Sequence, residues 1–190
     1  MLPENVSNGI CSLKPKVDRL CFVCDMQVGF DGLVTESKFY EAVMHSHARL
    51  TYNQVWKVIG ENDEVETAAL GDLLPSIQRL HQLFEVLAKA RTKRGAIEFE
   101  SNEVHFELNQ QGDVIKGGLL ARNDAHKLIE ECMIAANVEA GKAVIQNQAY
   151  APFRVHDRPP ESKYADLLEY LKEFSLSMPA YSKVQPKDFT

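Results

Sequence analysis

One long apolar stretch constrains the fold more than any other part of this sequence. Between residues 128 and 145, apolar side chains spread around most of the circumference of a helix. That pattern is typical of a helix inside a domain, because a surface helix carries a narrower apolar face. Asn123 or Asp124 can cap the N-terminus, since a short side-chain oxygen accepts from the free N–H groups of the first turn. We therefore expect a buried helix over about residues 124–147.

Two adjacent acids, Glu130 and Glu131, interrupt this apolar helix. Adjacent helical positions point about 100° apart, so the two carboxylates cannot share one direction. A carboxylate on a buried helix is costly unless it is paired or lines a wet cleft. From spacing alone, the favoured interpretation is that one acid pairs with an arginine and the other is exposed.

The remaining patterns predict an α+β (mixed α/β) domain with an antiparallel-rich sheet packed against helices. Alternating residues predict strands, with a turn at Asp31-Gly32, and apolar stripes at spacings of three and four predict helices. The predicted strands are 19–29, 33–47, 96–108, a return strand starting at 114–115, and 151–156; the other predicted helices are 52–59, 73–94 and one following 160. Residues 60–67 are acidic and indicate a loop.

Length and charge exclude some classes of protein. A chain of 190 residues fits a single domain, and its net charge of −6 argues against non-specific binding of duplexes through a large basic surface. The basic cluster at 89–94 is more typical of a solvated helix C-terminus than of a phosphate contact. Neither an apolar run of about 20 residues nor a basic region followed by an apolar one is present. We therefore expect no membrane partner and a cytoplasmic location.

Cysteine and histidine spacing gives little support to a metal site. Cys21 and Cys24 form a C-x-x-C pair within a predicted strand. Side chains three positions apart on a strand point to opposite faces, so these thiols cannot share one zinc ion or form a disulfide. His45 and His47 share a face, but no nearby acid or cysteine completes a set of ligands. We expect no metal ligand in this chain.

Three long runs of this sequence, in the same order, resemble the catalytic domain of the ribonuclease II/ribonuclease R family, and most closely its bacterial ribonuclease R branch. The runs are PENVSNGICSLKPKVDRLCFVCDM at 3–26, KFYEAVMHSHARLTYNQVW at 38–56 and RNDAHKLIEECMIAAN at 122–137. The resemblance covers essentially all 190 residues. It implies a processive, Mg²⁺-dependent 3′→5′ exoribonuclease that hydrolyses single-stranded RNA to 5′-nucleoside monophosphates.

The resemblance also implies that the catalytic centre is missing from this chain. The family's metal-binding acids lie in an Asp-rich stretch upstream of the segment that Met1 begins, and an Arg-Arg segment that contacts the scissile phosphate lies beyond Thr190. No D-x-D-D or comparable cluster occurs in the sequence. We therefore expect residues 1–190 to be the central portion of the catalytic domain, truncated at both ends. Alone, this portion should hold no Mg²⁺ and no catalytic residue, and its partners should be RNA and the flanking domains of the same polypeptide.

Five positions are candidates for RNA binding. By the resemblance, Phe99 matches the family's aromatic that stacks on a base. Glu130 matches the acid near the RNA 3′ end, and Tyr52 matches its tyrosine partner; both can hydrogen-bond a ribose 2′-OH. Arg122 and Asn123 directly precede the long helix, where a side chain and the helix N-terminus together could contact phosphate.

Simpler alternatives remain open for these residues. A lone phenylalanine on a strand usually belongs to a core, a tyrosine at a helix start is often half-buried with its hydroxyl in water, and Arg122 can form a salt bridge with Glu130 or another acid. For the chain as a whole, the alternative is a non-catalytic RNA-binding or structural module.

Overall fold

Helices and two strand hairpins form most of the chain in the computed structural model, which describes residues 2–97, 104–119, 122–155 and 157–189. The α-helices are α1 (Tyr52–Ile59), α2 (Glu64–Leu70), α3 (Leu74–Arg94), α4 (Asp124–Gln146) and α5 (Glu161–Glu173). The strands are β1 (Asp18–Val28), β2 (Val34–His45), β3 (Val104–Leu108) and β4 (Val114–Leu119). Short π or 3-10 turns cover Asn5–Ile10, Gly71–Leu73 and Pro186–Phe189. The fold is α+β, as predicted.

The described strands form two antiparallel hairpins, β1–β2 and β3–β4, and not one larger sheet. The turn of the first hairpin is held by Asp31, whose Oδ1 accepts from the backbone N–H of Leu33 at 3.0 Å. Gly32 follows with a φ of 77°, and a Cβ added there would lie 2.5 Å from the Cβ of Ala90 in α3. Only glycine fits this backbone conformation and this close approach, so the turn packs directly on α3.

The core lies where α1 and α3 pack against α4. Its buried apolar side chains include Val58, Leu70, Phe84, Leu87, Ala125 and Leu128. The opposite side of α4 is exposed, with Ile129, Met133, Val138 and Ile145 between 41% and 67% accessible. The prediction that α4 is a helix buried inside the domain was therefore wrong for this face, because none of the described elements covers it.

Local chemistry sets several helix ends. Thr51 and Gln54 form a capping box at the start of α1, with the Thr51 hydroxyl accepting from the Gln54 N–H. Gly95 ends α3 in the left-handed region at a φ of 79°, directly after residue 94, where the predicted helix ends. The predicted loop at 60–67 was wrong for residues 64–67, because the Asp63 side chain accepts from two N–H groups of the next turn and starts α2 at Glu64.

Two other predictions concern a strand at 151–156 and the orientation of Cys21 and Cys24. The predicted strand at 151–156 was wrong over residues 151–155, which are exposed and pair with none of the described strands. Cys21 and Cys24 lie on a regular part of β1, opposite Ala42 and Phe39, so their side chains leave opposite faces as predicted. Both thiols are free. Within the described ranges, no helix combines the length and the apolar character that crossing a bilayer requires.

Candidate functional site

The contact between α1 and α4 brings Tyr52 onto the first turn of α4. Tyr52 is the first residue of α1, and its ring stacks on the imidazole of His126 with centroids 4.1 Å apart and planes 24° apart. The Thr51 capping box fixes the start of α1 at this residue. Tyr52 stays 45% exposed, so the ring is held from one side while part of it faces solvent.

His126 is itself held by the residue that begins α4. Asn123 lies at the N-cap in an extended conformation, and its Oδ1 is 2.8 Å from His126 Nδ1. The amide oxygen therefore accepts from the imidazole N–H and does not cap a backbone N–H, contrary to the usual role of an N-cap asparagine. Burial lowers the pKa of His126, and the positive charge of Arg122 lowers this pKa further. The imidazole is thus neutral near pH 7.

Glu130 lies one turn beyond His126 on the same side of α4. One carboxylate oxygen pairs with Arg122, and the other is 3.4 Å from Nη1 of Arg91 in the last turn of α3. The Glu130 side chain remains 35% exposed. Two guanidinium groups therefore fix this partly exposed carboxylate, one turn along α4 from His126.

Glu131 points into the interface between α3 and α4. Its side chain is 9% exposed, and Oε1 lies 2.7 Å from Arg91 Nη1. The prediction of one paired and one exposed acid was wrong, because Arg91 lies between the two carboxylates and contacts both. Arg91 belongs to the basic cluster at 89–94, so the prediction that this cluster is a solvated helix end was wrong for Arg91.

The structure brings together four of the five predicted RNA-binding residues. Tyr52, Arg122, Asn123 and Glu130 all lie around the first two turns of α4, linked through His126 and the Arg122–Glu130 ion pair. Phe99 lies outside the described residues.

The same residues do not suit Mg²⁺. Across the part of the chain that the structure describes, no group of three or more His, Cys, Asp or Glu residues is arranged to hold a metal ion. The two acids of the site, Glu130 and Glu131, are already paired with arginines. A magnesium site needs carboxylates whose charge is available to the ion, and these carboxylates face guanidinium groups instead.

Comparison with known proteins identifies the family. The sequence profile of the RNB domain matches residues 1–189. The chain belongs to the RNB-domain family. This RNB-domain chain is 47% identical over 190 residues to ribonuclease R of Escherichia coli, covering 100% of the chain and 23% of that relative. It is 44% identical over 189 residues to ribonuclease R of Vibrio cholerae, again covering 100% of the chain and 23% of the relative.

A solved structure has the same fold. Ribonuclease R of Mycoplasma genitalium, in complex with ribose-methylated single-stranded RNA, matches with a TM-score of 0.86 and 27% identity, over 99% of this RNB-domain chain and 29% of that chain. The resemblance read from the sequence is therefore confirmed. The chain spans about a quarter of the length of the relatives that it matches.

Proposed function

We propose that this chain is the central portion of the catalytic domain of a processive, Mg²⁺-dependent 3′→5′ exoribonuclease. The complete enzyme hydrolyses single-stranded RNA to 5′-nucleoside monophosphates in the cytoplasm, and this portion contributes RNA-channel residues while the metal ligands come from flanking parts of the polypeptide. Membership of the RNB-domain family and the similarity to ribonucleases R support this proposal. The related Mycoplasma genitalium structure, described as a complex with single-stranded RNA, supports RNA as the substrate.

The observation that carries the proposal is the placement of Tyr52 and Glu130 on one side of α4. His126 contacts Tyr52, and Glu130 follows His126 by four residues on the same helical face. A ribose 2′-OH both donates and accepts, so a tyrosine hydroxyl and a carboxylate together can satisfy it. We infer that this pair distinguishes RNA from DNA near the 3′ end of the substrate.

Arg122 and Asn123 supply the phosphate contact in this proposal. The Arg122 side chain is 42% exposed, so its guanidinium can reach a phosphate beside Glu130 while α4 stays in place. The Asn123 side-chain oxygen is occupied by His126, so its contribution comes through the backbone at the N-terminus of α4. For Phe99 we keep the proposed role of stacking on a base, because its position in the sequence matches the family's base-stacking aromatic.

The test compares RNA and DNA oligomers of equal sequence, using the complete natural polypeptide that contains this segment. Tyr52→Phe and Glu130→Gln should each lower the RNA-to-DNA affinity ratio by about 3- to 10-fold, the effect of losing one hydrogen bond. Tyr170→Phe is the matched control, because Tyr170 is an exposed tyrosine on α5 whose ring contacts Phe174. If the RNA-to-DNA affinity ratio is unchanged in both Tyr52→Phe and Glu130→Gln, the proposed recognition of the 2′-OH by these residues is rejected.

A non-catalytic RNA-binding module is the second candidate. It is favoured by the arginine pairing of Glu130 and Glu131, which makes the described site suited to binding RNA and unsuited to holding metal. Incubating the complete polypeptide with end-labelled single-stranded RNA and Mg²⁺ distinguishes the exoribonuclease from the non-catalytic module. Stepwise release of mononucleotides supports the exoribonuclease, and binding without cleavage supports the module.

A further inference from the structure

We propose that His126 is a positioning residue for RNA recognition, which holds the Tyr52 ring so that its hydroxyl and the Glu130 carboxylate act on the same ribose. Asn123 in turn fixes the orientation of the imidazole. The inference rests on the proposed function, because it concerns how Tyr52 and Glu130 read the 2′-OH. It adds a role for a residue that the resemblance left unassigned.

The first argument is the geometry of the stack. Tyr52 is the first residue of a helix of eight residues and follows a segment without regular structure, so its own element constrains the ring weakly. The near-parallel contact with His126, at 4.1 Å and 24°, fixes one face of the ring against α4. Because Tyr52 is 45% exposed, its side chain would otherwise sample several rotamers.

The second argument is the way in which the imidazole is fixed. An imidazole can rotate and can carry its proton on either nitrogen, and the hydrogen bond of one nitrogen decides both. Here Nδ1–H donates to Asn123 Oδ1 at 2.8 Å, so the ring is oriented from within its own helix turn. The lowered pKa of His126 keeps the ring neutral, which avoids burying a charge under the tyrosine.

The third argument is the spacing on α4. His126 and Glu130 are four residues apart, which places them on one face of the helix and about 6 Å apart along its axis. A ring stacked on His126 therefore lies one helical turn from the Glu130 side chain, whose carboxylate pairs with Arg91 and Arg122. Both halves of the proposed ribose site are thus anchored on the same helix.

The test uses the complete natural polypeptide and the affinities for RNA and DNA oligomers of equal sequence. His126→Ala should lower the RNA-to-DNA ratio by about 3- to 10-fold, as Tyr52→Phe does, because the hydroxyl is no longer held in place. The double variant should show no further loss, since both changes remove the same contact. His126→Phe, which keeps a flat ring under Tyr52, should restore most of the ratio.

His81→Ala is the matched control. His81 also stacks on an aromatic ring, that of Phe84 on the same helix, but lies on α3 and outside the proposed ribose site. A fall in the ratio for His81→Ala equal to that for His126→Ala would overturn the proposal, because the effect would then follow from general loss of packing.

A second readout separates this inference from the proposed function. The ring-proton chemical shifts of Tyr52, measured by NMR with labelled tyrosine, report the stack without any RNA. If Tyr52→Phe and Glu130→Gln both leave the RNA-to-DNA affinity ratio unchanged, the proposed recognition of the 2′-OH fails, while Tyr52 shifts that respond to His126→Ala still establish the contact. If Tyr52→Phe lowers the ratio but His126→Ala changes neither ratio nor shifts, the positioning role is overturned.

Asn123→Ala keeps the inference testable if His126→Ala fails to fold. It retains the imidazole and removes the hydrogen bond that orients it. A reduced ratio and broadened Tyr52 ring signals are expected. An unchanged ratio and unchanged signals would contradict the role of Asn123 and the fixed orientation of His126.

Discussion

The Tyr52 ring lies against the imidazole of His126, with the two centroids 4.1 Å apart, and joins the start of α1 to the first turn of α4. This contact places an exposed tyrosine against His126, and Glu130 follows His126 one turn further along α4. The site is built on the three-helix core, because α1 and α3 both pack on α4.

The pH dependence of stability should depend on His126. Burial and Arg122 lower its pKa below the ordinary value of 6.5 in the folded chain. As the pH falls through 6.5, the unfolded chain binds a proton before the folded chain does, so the free energy of unfolding decreases between 6.5 and the lowered pKa. Urea unfolding between pH 7.5 and pH 5 measures this decrease. It should be smaller in His126→Phe, and equal slopes in both proteins would contradict the prediction.

Removing Arg91 should destabilise the interface between α3 and α4. Arg91→Met leaves the buried Glu131 carboxylate without its partner, and we expect a loss of about 3 kcal/mol in the free energy of unfolding. Lys93→Met, on the exposed side of the same helix turn, should change it by less than about 0.5 kcal/mol. Adding Glu131→Gln to Arg91→Met should recover part of the loss, because the unpaired charge is gone. Urea unfolding checks each variant.

The first hairpin is fixed to α4 by a polar contact with the buried Glu139 side chain. Ser37 Oγ donates to Glu139 Oε2 at 2.9 Å, and Lys142 Nζ donates to the other oxygen at 2.6 Å. Ser37→Ala should lower the free energy of unfolding by about 1 kcal/mol. Glu36→Gln, which changes an exposed carboxylate on the same strand, should have an effect of less than about 0.5 kcal/mol. If Ser37→Ala lowers the free energy of unfolding no more than Glu36→Gln does, the contact between Ser37 and Glu139 does not stabilise the fold.

Glu139 should also contribute to stability in acid. The hydrogen bond from Lys142 is the main cause that lowers its pKa below 4.5, with a further contribution from Ser37. The folded chain therefore releases this proton more readily than the unfolded chain, and the resulting stability is present above pH 4.5 and lost as the pH falls through the lowered pKa. Unfolding of Glu139→Gln between pH 6 and pH 3 should show a weaker decrease than the unchanged chain.

The 190-residue chain by itself should not cleave RNA. The described acids of the candidate site pair with arginines, and two-metal hydrolysis needs several carboxylates directed at the ions. Purified chain, labelled single-stranded RNA and Mg²⁺ test this directly. The prediction would be contradicted by stepwise release of mononucleotides that persists after repeated purification. Loss of this activity in Glu130→Gln would show that it belongs to the chain and not to a contaminant.

Local chemistry in the sequence was sufficient for the elements whose ends depend on neighbouring residues. The capping box of Thr51 with Gln54, the left-handed Gly95 and the turn at Asp31-Gly32 each act within a few residues, so the pattern predicted α1, α3 and the first hairpin. Asp63 was missed although its effect is equally local, because the acidic composition around it was interpreted as a loop. The family could also be read from the sequence, since three long runs carry the resemblance.

Only the tertiary structure decided which side chains meet. The periodicity of α4 showed that Glu130 and Glu131 interrupt an apolar helix, but their shared partner Arg91 comes from another helix. In the same way, the contacts of Tyr52 with His126 and of Ser37 with Glu139 join distant parts of the chain. Helical and strand patterns determine which residues share a face of one element. The packing of elements against each other determines what that face contacts, and this depends on the shape and burial of the whole domain.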